Sequence, residues 1–220
     1  MPVTLSPEML NRYARAAVTR ILTPVARLLI RLGISPDLVT IVGTLGVCVG
    51  ALVFFPRGEL LVGVLVITAF VFSDTIDGVM ARLQGRTSKW GAFLDSTLDR
   101  IGDAAIFSGL AIWFFQGGDD RVMAWLAMAC LVLGSVVSYA RARAEGLGMT
   151  ASVGIAERAD RLVAALVTTG LVGLGLPEVV LKVVLAVLAV ASVITILQRV
   201  LFVRRQCIAA ESADSTPASS

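Results

Sequence analysis

Four aspartates and an arginine stand in one regularly spaced stretch: Asp74, Asp77, Gly78, Ala81 and Arg82, then eight residues, then Gly91, Asp95 and Asp99. On a helix, residues three or four apart share a face, so Asp74 and Asp77 point together near the end of one helix. Asp95 and Asp99 do the same near the start of the next. If the eight intervening residues form a tight turn, the two pairs converge. A charge inside a membrane costs about 2.5–3.5 kcal/mol even on lenient insertion scales, so four converging carboxylates call for compensating cations. Hard divalent ions, Mg²⁺ or Mn²⁺, prefer carboxylate oxygen and water, and the absence of histidine excludes a His-ligated zinc or iron site. Gly78 and Gly91 lack a Cβ where a ligand or neighbouring helix would approach. Arg82 offers a planar fork suited to phosphate.

A second constellation is basic. Ser138 to Gly146 reads SYARARAEG, and Glu157 to Arg161 reads ERADR. Arg158 and Arg161 are three apart and share a helix face, Arg141 closes the preceding apolar run, and Arg199 sits in the last one. Converging guanidinium groups suit a phosphomonoester, because each donates paired, charge-assisted hydrogen bonds. The same arginines also suit the basic side of a membrane protein, paired with Glu145, Glu157 and Asp160.

The elements that must position these residues are apolar helices. The chain has 220 residues, 57% hydrophobic and 16% charged, with a mean hydropathy of +0.87, far from ordinary soluble usage. Long uncharged runs predict an all-α, polytopic membrane protein of six transmembrane helices. The spans are expected over Leu38 to Pro56, Leu60 to Arg82, Gly91 to Phe115, Val122 to Ala140, Glu157 to Gly175 and Glu178 to Arg204. An amphipathic juxtamembrane helix precedes them, Ser6 to Leu32, in which Arg12, Arg15, Arg20, Arg27 and Arg31 alternate with apolar residues, a pattern that suits anionic headgroups. The organisation expected is therefore 1–33 juxtamembrane helix, 34–205 membrane domain and 206–220 a disordered, Ser- and Ala-rich tail. Cys48, Cys130 and Cys207 have neither disulfide nor metal spacing. The arginine-rich N-terminal segment does not read as a cleaved signal peptide.

Charge gives the orientation. Sixteen of the nineteen lysines and arginines fall in the N-terminal helix, the turn near Gly85, the 141–161 segment and the last helix end, leaving Arg57, Arg121 and Lys182 on the other side. By the positive-inside bias the first side is cytoplasmic, so the acid cluster is expected to open to the cytosol from an inner membrane.

The pattern D-x2-D-G-x2-A-R-x8-G-x3-D-x3-D resembles, at every fixed position, the signature of the CDP-alcohol phosphotransferases. These integral-membrane enzymes join a CDP-linked alcohol to a second alcohol and release CMP. The resemblance implies that Asp74, Asp77 and Asp95 ligate two Mg²⁺ ions, Mn²⁺ being possible, and that Asp99 touches metal and acts as the general base. It implies CDP-diacylglycerol contacts at Pro36, Asp37, Thr40, Gly78, Arg82 and Ser88. Within the family, SYxRARAE…GxxERADR is similar to the phosphatidylinositol phosphate synthases, whose acceptor is inositol phosphate. That likeness implies acceptor binding by Arg141, Arg158, Arg161 and Arg199. Membrane lipids and a homodimeric partner are expected, nucleic acid is not.

Two other functions share parts of this pattern. Relatives that make phosphatidylglycerol phosphate carry the same acidic signature, so only the basic segment separates them. Intramembrane acids also mark ion pathways, but a divalent-cation transporter should carry polar residues through the bilayer, and the runs beyond Asp103 and before Ser73 are almost wholly apolar.

Overall fold

The computed structural model describes residues 21–85 and 88–214, apart from the side chains of residues 72–74 and 212–214. Every regular element among the described residues is helical. In chain order they are α1 (residues 21–31), α2 (Pro36–Val49), α3 (Leu60–Leu83), α4 (Lys89–Gln116), α5 (Arg121–Glu145), α6 (Arg158–Gly173) and α7 (Glu178–Asp214).

Among the described residues, four stretches are long and apolar enough to cross a membrane: Pro36–Arg57, Leu60–Leu83, Arg121–Glu145 and Glu178–Glu211. Two of the six expected spans fall short for physical reasons. The first half of α4 carries Asp95, Asp99, Arg100 and Asp103. With 16 residues, α6 is about 24 Å long, a few ångströms under a hydrocarbon core of about 30 Å, a mismatch that local thinning of the bilayer accommodates. Of the expected juxtamembrane helix, only residues 21–31 are described, and Arg12, Arg15 and Arg20 lie outside the described residues.

The chain divides into two compact units. The first contains α1, α2 as far as Gly50, and Leu65–Gly102; the second contains Ala51–Val64 and the chain from Asp103 onward. In the first unit, Ser35 caps α2 by accepting from Leu38 N–H, and Pro36 occupies the first turn, where its missing N–H costs nothing. Ala26 of α1 is fully buried with Val79 and Met80 of α3, and Leu22, Leu29, Ile30, Val39 and Ile76 pack around them. That contact docks α1 on the end of α3 that carries the acids. A Cβ at Gly46 would lie 2.2 Å from the Phe70 ring, so α2 and α3 approach more closely than any larger residue allows.

The first span is not one continuous α-helix. After Val49 the chain widens into a π turn over Gly50–Phe54 and tightens into a 3₁₀ turn over Phe55–Arg57. Pro56 supplies no N–H and its ring crowds the preceding turn, and Gly58, at φ +76°, ends the element in the left-handed region.

In the second unit α7 packs against both α5 and α6, and Phe55, Leu110, Phe114, Met123, Leu181 and Leu185 are almost wholly buried. The loop between α5 and α6 is strapped to one face of α7. Thr195 Oγ1 accepts from the N–H groups of Ile155 and Ala156, and Gln206 bonds both the N–H and the carbonyl of Thr150. The tail departs from expectation, because α7 runs on beyond Cys207 to Asp214. Its Ala-Ala-Glu sequence is a good helix former, which the low hydropathy concealed.

Candidate active site

In the first unit a cavity of about 730 Å³ opens between the start of α2, the end of α3 and the start of α4. Asp77 and Asp95 both line it, with Pro36, Asp37, Thr40, Gly78 and Ser88. Two acids placed 18 residues apart in the chain, one from each expected pair, are thus brought to one cavity.

Asp77 is the buried member, 8% exposed. Thr40, itself buried, places its hydroxyl 2.5 Å from Asp77 Oδ2 and 3.1 Å from the Pro36 carbonyl. One hydroxyl hydrogen serves one acceptor at a time, whereas a carboxylate offers about four lone-pair sites. The bond therefore orients Asp77 without exhausting it. Asp95 is exposed on α4. Gly78 follows Asp77 on the cavity wall, and a Cβ there would meet nothing within 4 Å; the glycine leaves the cavity wide rather than relieving a clash.

At the rim, Trp90 Nε1 donates to Asp37 Oδ2 at 3.1 Å, tying the start of α4 to the start of α2. Ser88 caps α4 by accepting from Gly91 N–H at 2.9 Å, and its hydroxyl hydrogen remains a donor to offer a phosphate.

Other predicted site residues stand elsewhere. The side chain of Asp74 lies outside the described residues, as does Arg86. Arg82 is exposed in the last turn of α3 and Asp99 lies 3.6 Å from Arg100 Nη2; neither is among the lining residues. Among the described residues no three metal-binding side chains gather at one point. Gln84, Ile30 and Ile34 line the cavity without having been predicted. Nothing in their types marks them, and only the docking of α1 brings the two isoleucines there.

The predicted acceptor arginines belong to the second unit, and their surroundings differ sharply. Arg161, 2% exposed, bonds the carbonyls of Ala156 and Gly134. Arg199, 4% exposed, bonds those of Val153 and Val137. Arg141 pairs with Glu145 at 2.8 Å on an exposed helix face. Arg158 pairs with Asp103 at 2.9 Å.

A donor set of aspartates and hydroxyls, with no sulfur or imidazole, suits a hard divalent cation. The family model for CDP-alcohol phosphatidyltransferase matches residues 33–196 of the chain, a segment that holds the acidic signature and most of the residues lining the cavity. The chain belongs to the CDP-alcohol phosphatidyltransferase family. A curated member, the phosphatidylinositol phosphate synthase of Streptomyces avermitilis, is 54% identical over 216 residues, covering 96% of this chain and 88% of the relative. The crystal structure of Mycobacterium tuberculosis phosphatidylinositol phosphate synthase with CDP-DAG bound matches at a TM-score of 0.81 and 44% identity, over 84% of this chain and 94% of that one. A second structure of that family member, in complex with manganese and citrate, matches at 0.80 and 43% identity, over 83% and 88% of the two chains.

Proposed function

We propose that this family member transfers the phosphatidyl group of CDP-diacylglycerol to inositol phosphate, giving phosphatidylinositol phosphate and CMP. The observation that carries the reading is the convergence of Asp77, Asp95, Pro36, Asp37, Thr40, Gly78 and Ser88 on one cavity. The substrates follow from the likeness to the Streptomyces enzyme and to the Mycobacterium structure that holds CDP-DAG.

Asp77 and Asp95, with Asp74, hold a divalent cation in that cavity, and the manganese-bound family structure supports the metal. Bound there, the metal would neutralise the donor's phosphates and stabilise the departing CMP. Thr40 keeps Asp77 turned toward the cavity, while Asp37 and Pro36 receive the nucleotide end. Gly78 leaves room for the nucleotide, and Ser88 and Arg82 donate to its phosphates. Asp99 accepts the proton of the attacking inositol hydroxyl, a role that needs hydrogen-bond reach in the substrate complex. On the acceptor side, Arg158 and Arg141, the more exposed pair, contact the inositol phosphate. Arg161 and Arg199 add positive potential and hold the loop before α6 through its carbonyls.

The proposal extends to two Mg²⁺ ions, six membrane-crossing helices with the cavity opening to the cytoplasm, and a homodimeric assembly. The sixteen basic residues assigned to one side support the orientation. The test is to give the purified protein CDP-diacylglycerol and Mg²⁺ with inositol phosphate, inositol or glycerol phosphate, and to identify the lipid formed. Phosphatidylinositol phosphate, with stoichiometric CMP, is expected only from the first. Phosphatidylglycerol phosphate as the main product would overturn the acceptor assignment, and the absence of metal-dependent CMP release with any acceptor would overturn the reaction.

A further inference from the structure

Arg158 opens α6, and two separate devices fix it. The backbone before it is tied to α7, because Ile155 and Ala156 both donate to Thr195 Oγ1 at 3.2 Å. The side chain is tied to α4: Nε lies 3.1 and 3.2 Å from the two oxygens of Asp103, and Nη2 lies 2.9 Å from Oδ1. Both residues belong to the second unit. The Asp103 side chain is 15% exposed and that of Arg158 32%, so the carboxylate is largely enclosed while part of the guanidinium reaches the surface.

This pair differs from its neighbours in kind. Arg141 and Glu145 are one turn apart on a single helix and about half exposed, a geometry that orients little. Arg161 and Arg199 spend their donors on buried carbonyls. Asp103 instead grips a partly exposed arginine from another helix through a forked contact. A guanidinium is rigid and planar, so fixing one edge fixes the direction of the other. A largely enclosed ion pair adds little net stability, since desolvation offsets the attraction; what such a grip supplies is orientation.

We propose that Asp103 is a positioning residue for the acceptor, presetting the Arg158 guanidinium for the phosphate of the incoming phosphorylated alcohol. Asp103 lies outside the acidic signature, four residues beyond Asp99 in the chain. The inference rests on the reading that Arg158 receives the acceptor phosphate. Because Thr195 already anchors the backbone, Asp103 acts on the side-chain torsions of Arg158 rather than on the course of the loop.

The experiment is steady-state kinetics of the full-length protein with both substrates varied, for Asp103→Asn, Asp103→Glu and Arg158→Ala. Loss of the charged grip should raise the KM for inositol phosphate about ten-fold or more in Asp103→Asn, with the KM for CDP-diacylglycerol within about two-fold of wild type. Asp103→Glu, which keeps the carboxylate, should recover part of that loss. A parallel rise in both KM values, or an unchanged acceptor KM while Arg158→Ala raises it, would overturn the positioning role. If Asp103→Asn does not fold, Asp103→Ser, which also lacks the carboxylate, decides: an acceptor KM equal to wild type, or a donor KM raised alongside it, overturns the role. An Arg158→Ala enzyme with an unchanged acceptor KM would instead overturn the acceptor assignment itself.

Discussion

In the unit of α1, α2, late α3 and early α4, polar side chains turn toward an open cavity. In the unit of α5, α6 and α7, two arginines turn inward and bond the chain's own carbonyls. Asp95 is exposed and Gly78 faces unfilled space, whereas Arg161 and Arg199 are at most 4% exposed. The contrast teaches that charge in an apolar chain has two uses. Exposed at a cavity it is available to a ligand; buried on carbonyls it ties the loop before α6, at Val153 and Ala156, to the backbone of α5, at Gly134 and Val137.

Variants that separate rate from stability sharpen this contrast. The largest effect is expected from Asp95→Asn, which should lower CMP release about 1000-fold by weakening the metal site. Because Asp95 is exposed, its thermal midpoint in detergent should stay within the small range of a surface substitution, about 0.5 kcal/mol. A large loss of stability would make Asp95 a structural residue and break the comparison. Arg161→Ala should instead destabilise the protein, by about 3 kcal/mol, as the buried Ala156 carbonyl loses its guanidinium donor and the tie from α6 to Gly134 is lost. An unchanged unfolding midpoint would contradict that reading.

A smaller and opposite pair of effects is expected at Gly78. Alanine there meets no neighbour within 4 Å and improves helix propensity, so Gly78→Ala should raise stability by up to about 1 kcal/mol, while, on the proposed function, it narrows the cavity and raises the KM for CDP-diacylglycerol. A gain in stability with unchanged kinetics would show that the space is unused.

The smallest effect lies in the turn before α5. Hydrogen bonding to Lys182, then to Met123 N–H, holds the partly buried Asp120 carboxyl below the usual carboxylate range. A lowered carboxyl pKa stabilises the fold fully above the unfolded value of about 3.9 and loses that contribution as pH falls through the folded value. Asp120→Asn retains a capping side chain and removes the charge. Its melting temperature should therefore fall slightly below wild type at pH 7, and the gap should close below about pH 4. A gap of the same size at pH 3 would exclude the ion pair as its cause.

Much of the first unit was legible in the chain because its determinants are local. Asp77 and Gly78 close one apolar run and Asp95 opens the next, so a short connection brings them to one cavity, and Ser35-Pro36 starts α2 by capping chemistry. The partners were not legible. Thr40 meets Asp77 and Trp90 meets Asp37 across separations of 37 and 53 residues, and neither pair carries a local signature. The carbonyl partners of Arg161 and Arg199 were hidden as well, since a guanidinium in a sequence reads alike whether a phosphate or a backbone carbonyl accepts its hydrogen bonds. The π turn at Gly50 was equally hidden, because an apolar run shows its length but not a local change of helical pitch.

The most direct measurement is an anomalous-scattering map from crystals grown with Mn²⁺, collected for wild type and Asp95→Asn. In wild type, density is expected within carboxylate coordination distance, about 2.1 Å, of both Asp77 and Asp95, and it should weaken in the variant. Manganese bound away from both carboxylates, or unaffected by the loss of Asp95, would contradict a metal-dependent reaction at this cavity.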